Sequence, residues 1–173
     1  MRRIRYSVAM SLDGYIAGPK GEYDWIEVDP GVAAPYFKAF YAQLDTVLMG
    51  RKSYEQAGGA VKPFTTYVVS RTLKPGKHKD VIVLGADALE RIAALRREPG
   101  KDIWLWGGGE LFGSLAAAGL VDSVEIGVIP VLLGSGRKVM EGCRERIQLV
   151  PQPSRQELPG HTLLKFDVRK RAA

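Results

Sequence analysis

Apolar and polar residues alternate from the start of the chain. Ile4, Tyr6, Val8 and Met10 fall on one face of residues 2–10, the period of two expected of a half-buried strand. Gly14, Gly18, Pro19, Gly21, Pro30 and Gly31 interrupt this rhythm, so residues 11–31 read as a long loop, a feature that in compact domains usually serves function. From Val32 to Leu44 the period lengthens, with Phe37, Phe40, Tyr41 and Leu44 at helical spacing, and Thr46–Met49 then forms a short buried strand ending at Gly50. A helical turn over Arg51–Gln56 and strands over Thr66–Val69 and Val81–Leu84 follow. Ala86–Arg97 carries Leu89, Ile92, Ala93 and Leu95 in an amphipathic helix that Pro99-Gly100 stops. The strand Asp102–Trp106 runs straight into Gly107-Gly108-Gly109 and a helix over Glu110–Ala118. A long strand over Ser123–Leu133 and a closing strand over Thr162–Val168 complete the pattern.

Strands alternating with helices predict an α/β fold, with a mostly parallel central sheet, helices on both faces and an antiparallel strand at the C-terminal end. The 173 residues suit a single domain over 1–173, since no repeat or linker divides them. Hydrophobic residues at 46% and charged residues at 25% exclude a disordered or fibrous chain. No apolar run approaches the roughly 18 residues of a membrane span, and the N-terminal residues 1–14 contain no apolar signal core, so a soluble cytoplasmic protein is expected. Cys143 has no disulfide partner, and His78 and His161 complete no Cys/His ligand set, so no metal is expected. Of the 25 basic residues, Arg2, Arg3, Arg5, Arg169, Lys170 and Arg171 account for the net charge of +6, because the remainder balance the 19 acidic ones. These tails read either as solubilising strand ends or as a patch for an acidic partner. No nucleic-acid motif accompanies them, so no nucleic acid is expected as a partner.

The chemistry concentrates at strand ends. Glycines between a strand and a helix let backbone approach a phosphate closely, while the helix N-terminus offers free N–H donors. Gly107, Gly108 and Gly109 fit that use and also fit plain tight packing. They do not form a dinucleotide fingerprint, since Phe112 stands where GxGxxG needs glycine. Gly50, Arg51, Lys52 and Ser53 open a second candidate, paired with Ser70 and Arg71 past the next strand. Two guanidiniums and two hydroxyls suit a phosphate, and the same residues serve equally as solvated strand ends. No nucleophile elbow is present. For proton chemistry there remain Asp13, Asp24 and Asp29, each of which can instead make a turn or cap a helix.

Read in order, Ser11-Leu-Asp-Gly-Tyr-Ile-Ala, Asp24-Trp25, Val47-Leu-Met-Gly-Arg-Lys-Ser-Tyr-Glu, Val68-Val-Ser-Arg and Trp106-Gly-Gly-Gly-Glu-Leu-Phe resemble the dihydrofolate reductase superfamily. Gly113-Ser-Leu-Ala-Ala-Ala-Gly-Leu-Val-Asp and Ile129-Pro-Val-Leu-Leu-Gly-Ser-Gly resemble the reductase domain of bifunctional riboflavin-biosynthesis deaminase-reductases. The resemblance implies a three-layer dihydrofolate reductase-like fold, in stand-alone form, and NADPH as cofactor. It assigns Gly107, Gly108, Gly109, Glu110 and Leu111 to the pyrophosphate, Gly50, Arg51, Lys52 and Ser53 to phosphates, and Ser70 and Arg71 to the adenosine 2′-phosphate. Ala9 and Ile16 would flank the nicotinamide. Asp13, Trp25, Asp29, Phe37 and Pro130 would surround the substrate, with Asp13, then Asp24, as the group that orients it or relays a proton. Dihydrofolate reductases carry an acidic residue in the first helix, where this chain has Pro30 or Ala33, and a pterin-contacting threonine, here Gly127. The expected activity is therefore hydride transfer to a small heterocycle, like that of 5-amino-6-(5-phosphoribosylamino)uracil reductase. Dihydrofolate reduction and non-catalytic NADP binding are the alternatives. A homodimer is expected from the basic tails, the apolar run Val124–Leu133 and the resemblance.

Overall fold

The computed structural model describes residues 1–152, 155–158 and 160–169. In chain order the elements are β1 (Ile4–Ser11), β2 (Tyr15–Ala17), α1 (Pro30–Tyr41), β3 (Leu44–Gly50), α2 (Arg51–Gln56), β4 (Thr65–Val69), β5 (Gly76–Lys77), β6 (Val81–Leu84), α3 (Ala88–Leu95), β7 (Asp102–Leu105), α4 (Gly109–Ala117), β8 (Ser123–Ile129), β9 (Arg137–Lys138), β10 (Leu149–Pro151), β11 (Arg155–Leu158) and β12 (His161–Val168). Ten strands form one sheet in the order β10-β12-β8-β1-β7-β3-β4-β6-β5, with β11 paired to β12. From β8 to β6 every neighbour is parallel, whereas β12, β10, β11 and β5 join antiparallel.

The alternation read in the sequence distributes the core. On one face Ile4, Tyr6, Leu48, Ile103 and Leu105 pack under α3 and α4, against Ile92, Phe112 and Leu115. Tyr6 and Phe112 stack with ring centroids 4.0 Å apart. On the other face Val47, Met49, Val68, Val81 and Trp104 pack with Phe40 of α1. Burying each large aliphatic side chain contributes about 1.5–3 kcal/mol, so both sheet faces are committed to the core.

Several boundaries differ from the expected ones. The loop over 11–31 contains β2, which pairs antiparallel with β9 in a ribbon apart from the main sheet. Helix α1 begins at Pro30 and contains Pro35; Asp29 supports its start by accepting the Gly31 N–H on Oδ1 (2.8 Å) and the Ala33 N–H on its carbonyl (2.9 Å). Leu44 belongs to β3, not to the helix. Strand β8 stops at Ile129, and past it the chain bends, with the Leu12 N–H donating to the Val131 carbonyl (2.9 Å). The run Val124–Leu133 is thus no free dimer edge, because β8 is paired with β1 on one side and β12 on the other.

The N-terminal arginines are also not free. Arg2 is buried, bonding Asp45 and Thr46, and Arg5 pairs with Glu125 at 2.6 Å with both side chains almost wholly buried. Arg3 pairs with Asp167 at 2.5 Å. Lys170 and Arg171 lie outside the described residues.

Candidate functional site

Parallel strands that share a direction deliver their following loops to one end of the sheet, where α/β folds place ligands. Here that end is an open cleft of about 830 Å³, walled by Val8 and Ala9 of β1, Gly50–Ser53 after β3, Val69–Thr72 after β4, and Trp106–Leu111 after β7. Leu89 and Ile92 of α3 also line it, as do Ile16, Ala17, Tyr23, Ile26, Arg137 and Glu141.

The glycine run has the geometry of a cradle. Gly107 has φ +64° and Gly108 φ +82°, left-handed backbone that side chains rarely adopt, and the next residue begins α4. A Cβ added to Gly107 would stand 3.4 Å from the Ser53 hydroxyl oxygen, so the first turn of α2 and the loop before α4 approach closely at this point. The first N–H groups of a helix lack partners within it, and its dipole presents a positive end. An anion with closely spaced oxygens fits such a surface.

Charged side chains surround the cradle. Lys52 is an exposed cation 3.6 Å from Glu110, a separation that leaves it free to swing to another anion. Arg51 pairs with Glu55 one helical turn along, at 2.8 Å. Arg71 is exposed and Arg137 half-buried; among the described residues neither belongs to an ion pair. The Ser70 hydroxyl accepts the N–H groups of Thr72 (3.1 Å) and Leu73 (3.0 Å) and so fixes the turn that presents Arg71.

All thirteen residues that the resemblance assigned to the cofactor line this one cleft: Ala9, Ile16, Gly50, Arg51, Lys52, Ser53, Ser70, Arg71, Gly107, Gly108, Gly109, Glu110 and Leu111. The residues assigned to substrate and proton transfer are not among its walls. Asp13 accepts from the Ser11 hydroxyl (2.7 Å) and from the backbone N–H groups of Leu133 (3.1 Å) and Gly134 (2.7 Å). The Ser11 bond, joined by those backbone bonds, holds its carboxyl below the ordinary 3.8. Its contacts are those of a tie between the end of β1 and the segment after β8. Asp24 is exposed, Asp29 caps α1, and Pro130 is exposed beyond β8. Trp25 is half-buried with its ring N–H 3.3 Å from the Glu22 carbonyl, and Phe37 lies in the aromatic cluster of α1, against Tyr36 and Tyr41.

Sequence reasoning missed Tyr23, Ile26, Arg137 and Glu141, which loops and the β2–β9 ribbon bring to the cleft. The one available signal was the glycine pair of Gly134-Ser-Gly136, which precedes Arg137. Tyr6, buried beneath the cleft, donates to the Val139 carbonyl (2.9 Å); burial first, and Glu141 second, push its hydroxyl well above the ordinary range.

The RibD C-terminal domain model matches residues 2–156. YyaP of Bacillus subtilis (strain 168) is 36% identical over 164 residues, covering 86% of this chain and 85% of that protein. YwjB of the same organism is 34% identical over 134 residues, covering 75% and 77%. A crystallised Shewanella sp. PV-4 protein assigned to riboflavin biosynthesis superposes with a TM-score of 0.78 at 24% identity, over 98% of this chain and 100% of that one. Acinetobacter baumannii RibD superposes at 0.74 and 19% identity, over 98% of this chain and 58% of that one. The Enterococcus faecalis dihydrofolate reductase complexed with NADP(H) and RAB-propyl superposes at 0.68 and 19% identity, over 97% of each chain. The fold is that of dihydrofolate reductase, as the order of the sequence motifs implied.

Proposed function

The chain belongs to the RibD C-terminal domain family, and from that membership we propose that it is an NADPH-dependent reductase acting on a small heterocyclic substrate of the pteridine or pyrimidine kind. The observation that carries the reading is the gathering, in one cleft, of a left-handed glycine backbone at a helix start, of Arg51 one strand away, and of Ser70 and Arg71 two strands away. That spacing suits a ligand with one diphosphate and one further phosphate.

In this reading Gly107–Gly109 and the first N–H groups of α4 hold the diphosphate, Lys52 leaves Glu110 to join them, and Ser53 supports the loop. Ser70 shapes the turn from which Arg71 reaches the 2′-phosphate, with Arg51 beside it. Ala9 and Ile16 present an apolar surface to the nicotinamide. When bound, the dinucleotide supplies the hydride, and the chain's work is to position it and to exclude water. Asp13 holds the loop carrying Ile16 in place, and the proton enters from water at the open mouth of the cleft.

A 2′-phosphate contact has a direct test. Hydrogen bonds to charged groups contribute about 1.5–3 kcal/mol, so Arg71→Ala weakens NADPH by about tenfold or more and spares NADH. Titration calorimetry reads both, and equal losses overturn the assignment. Dihydrofolate is the comparison acceptor: Ala33 is a buried apolar residue where a pterin-binding helix needs a carboxylate, so it should not be turned over. NADPH that binds tightly but is oxidised by no pteridine or pyrimidine acceptor would favour a non-catalytic binding protein. We further propose that the chain is one domain acting in the cytoplasm as a homodimer, with a small molecule as its only other partner.

A further inference from the structure

We propose that Arg137 is a diphosphate-binding residue of the cleft, delivered to it by a strap formed of residues 136–142; the assignment rests on the NADPH reading above.

The strap begins at β9, whose pairing with β2 sends successive side chains to opposite sides, so Lys138 is exposed while Arg137 lines the cleft. Its backbone lies directly on α4. The Glu141 N–H donates to the Gly109 carbonyl (3.0 Å), and any side chain at Gly109 would collide with the Lys138 carbonyl oxygen. Arg137 is therefore anchored one residue from a main-chain contact with the first residue of the helix.

Charge balance sets it apart from Lys52, the other cation beside the glycine run; Arg71, also outside any ion pair among the described residues, lies past β4. Lys52 is shared with Glu110, and the Glu141 carboxylate accepts the backbone N–H of Lys138 at 2.9 Å, a bond that fixes the strap and leaves the carboxylate charge in place. Arg137 has no carboxylate of its own among the described residues, and it is half-buried. A guanidinium partly withdrawn from water is stabilised by an anion, and its planar fork matches adjacent phosphate oxygens better than an ammonium does. The anion the cradle favours lies beside Gly107–Gly109, which points to the diphosphate and away from the 2′-phosphate at Arg71.

The full chain is titrated calorimetrically with NADPH, NADH and adenosine 2′-monophosphate, which carries no diphosphate. Arg137→Gln should raise the Kd of NADPH and NADH alike by about tenfold or more, and leave that of adenosine 2′-monophosphate within about twofold. Arg137→Lys should regain part of the loss. NADPH and NADH affinities within about twofold of wild type in Arg137→Gln overturn the proposal, as does an equal loss for adenosine 2′-monophosphate. If the wild-type protein binds none of these nucleotides, the cofactor reading fails separately, and inorganic pyrophosphate then decides Arg137. Pyrophosphate binding that Arg137→Gln abolishes upholds the residue's role; binding that it retains, or none by the wild type, overturns it.

Discussion

Two glycines at the ends of neighbouring strands show how much a single backbone torsion decides. Gly108 sits at φ +82° and ψ 90°, where any side chain is strained, whereas Gly50 has φ −78° with open space around a would-be Cβ. Gly108→Ala should cost about 1–3 kcal/mol of stability along with cofactor affinity, while Gly50→Ala should unfold within about 0.5 kcal/mol of wild type. Urea denaturation compares the pair, and equal midpoints would remove the strain argument. Asp13 illustrates the other residue-scale lesson. Its carboxyl is held low in the folded state, so its contribution is present above the ordinary 3.8 and is lost as pH falls through the lower folded-state value. Asp13→Asn, which cannot reproduce a carboxylate's acceptors, should therefore be less stable than wild type at neutral pH, with the gap closing in acid. A gap independent of pH would return Asp13 to the role of a simple turn residue.

At the scale of elements, the strap and α4 fit by the absence of side chains. Gly113 faces the Glu141 carbonyl so closely that a Cβ there would collide with it. Gly113→Ala must push the strap off the helix, for which overpacking costs of about 1–3 kcal/mol are usual. A denaturation midpoint unchanged by this substitution would show that the strap yields freely. The glycine also accounts for a sequence feature that helix propensity alone disfavours, since glycine inside a helix costs about 1 kcal/mol against alanine. Here close packing outweighs that cost. Both the β2–β9 ribbon and the bond from the Val139 N–H to the Gly14 carbonyl (3.0 Å) then link the strap to the loop after β1.

Across the whole molecule the arginines divide by location. At the end of the sheet opposite the cleft, Arg5 joins β1 to β8 through Glu125 and lies 4.9 Å from the Phe40 ring of α1, while Arg96 grips Asp122 at 2.7 and 2.8 Å. These charges are compensated within the protein. At the cleft, Arg71 and Arg137 face a site where a ligand's phosphates would pair them. Arg5→Met leaves Glu125 buried without its partner and should cost about 3–5 kcal/mol, and replacing Glu125 by Met as well should recover most of it. A double variant no more stable than the single one would show that Arg5 acts chiefly through its other contacts, Asp102 at 3.6 Å, Gln43 at 2.8 Å and the Phe40 ring.

What the sequence determined by itself follows from periodicity and local chemistry. Ile4, Tyr6 and Ile92 announce their faces by spacing, α2 and β6 fall at their expected bounds, and the glycines before α4 mark a close approach of backbone, because each signal is complete within a few consecutive residues. The tertiary structure alone decided what depends on residues distant in the chain. Nothing near Asp13 in the sequence shows that Leu133 and Gly134, some 120 positions on, donate to it, and the basic N-terminus reads as a tail until Asp45 and Glu125 are found beside it. Val124–Leu133 reads as one long strand because composition does not show where a strand must bend to meet a loop. Arg137 enters the cleft only through a two-residue strand too short to leave a period, on a ribbon whose pairing partner lies 120 residues earlier.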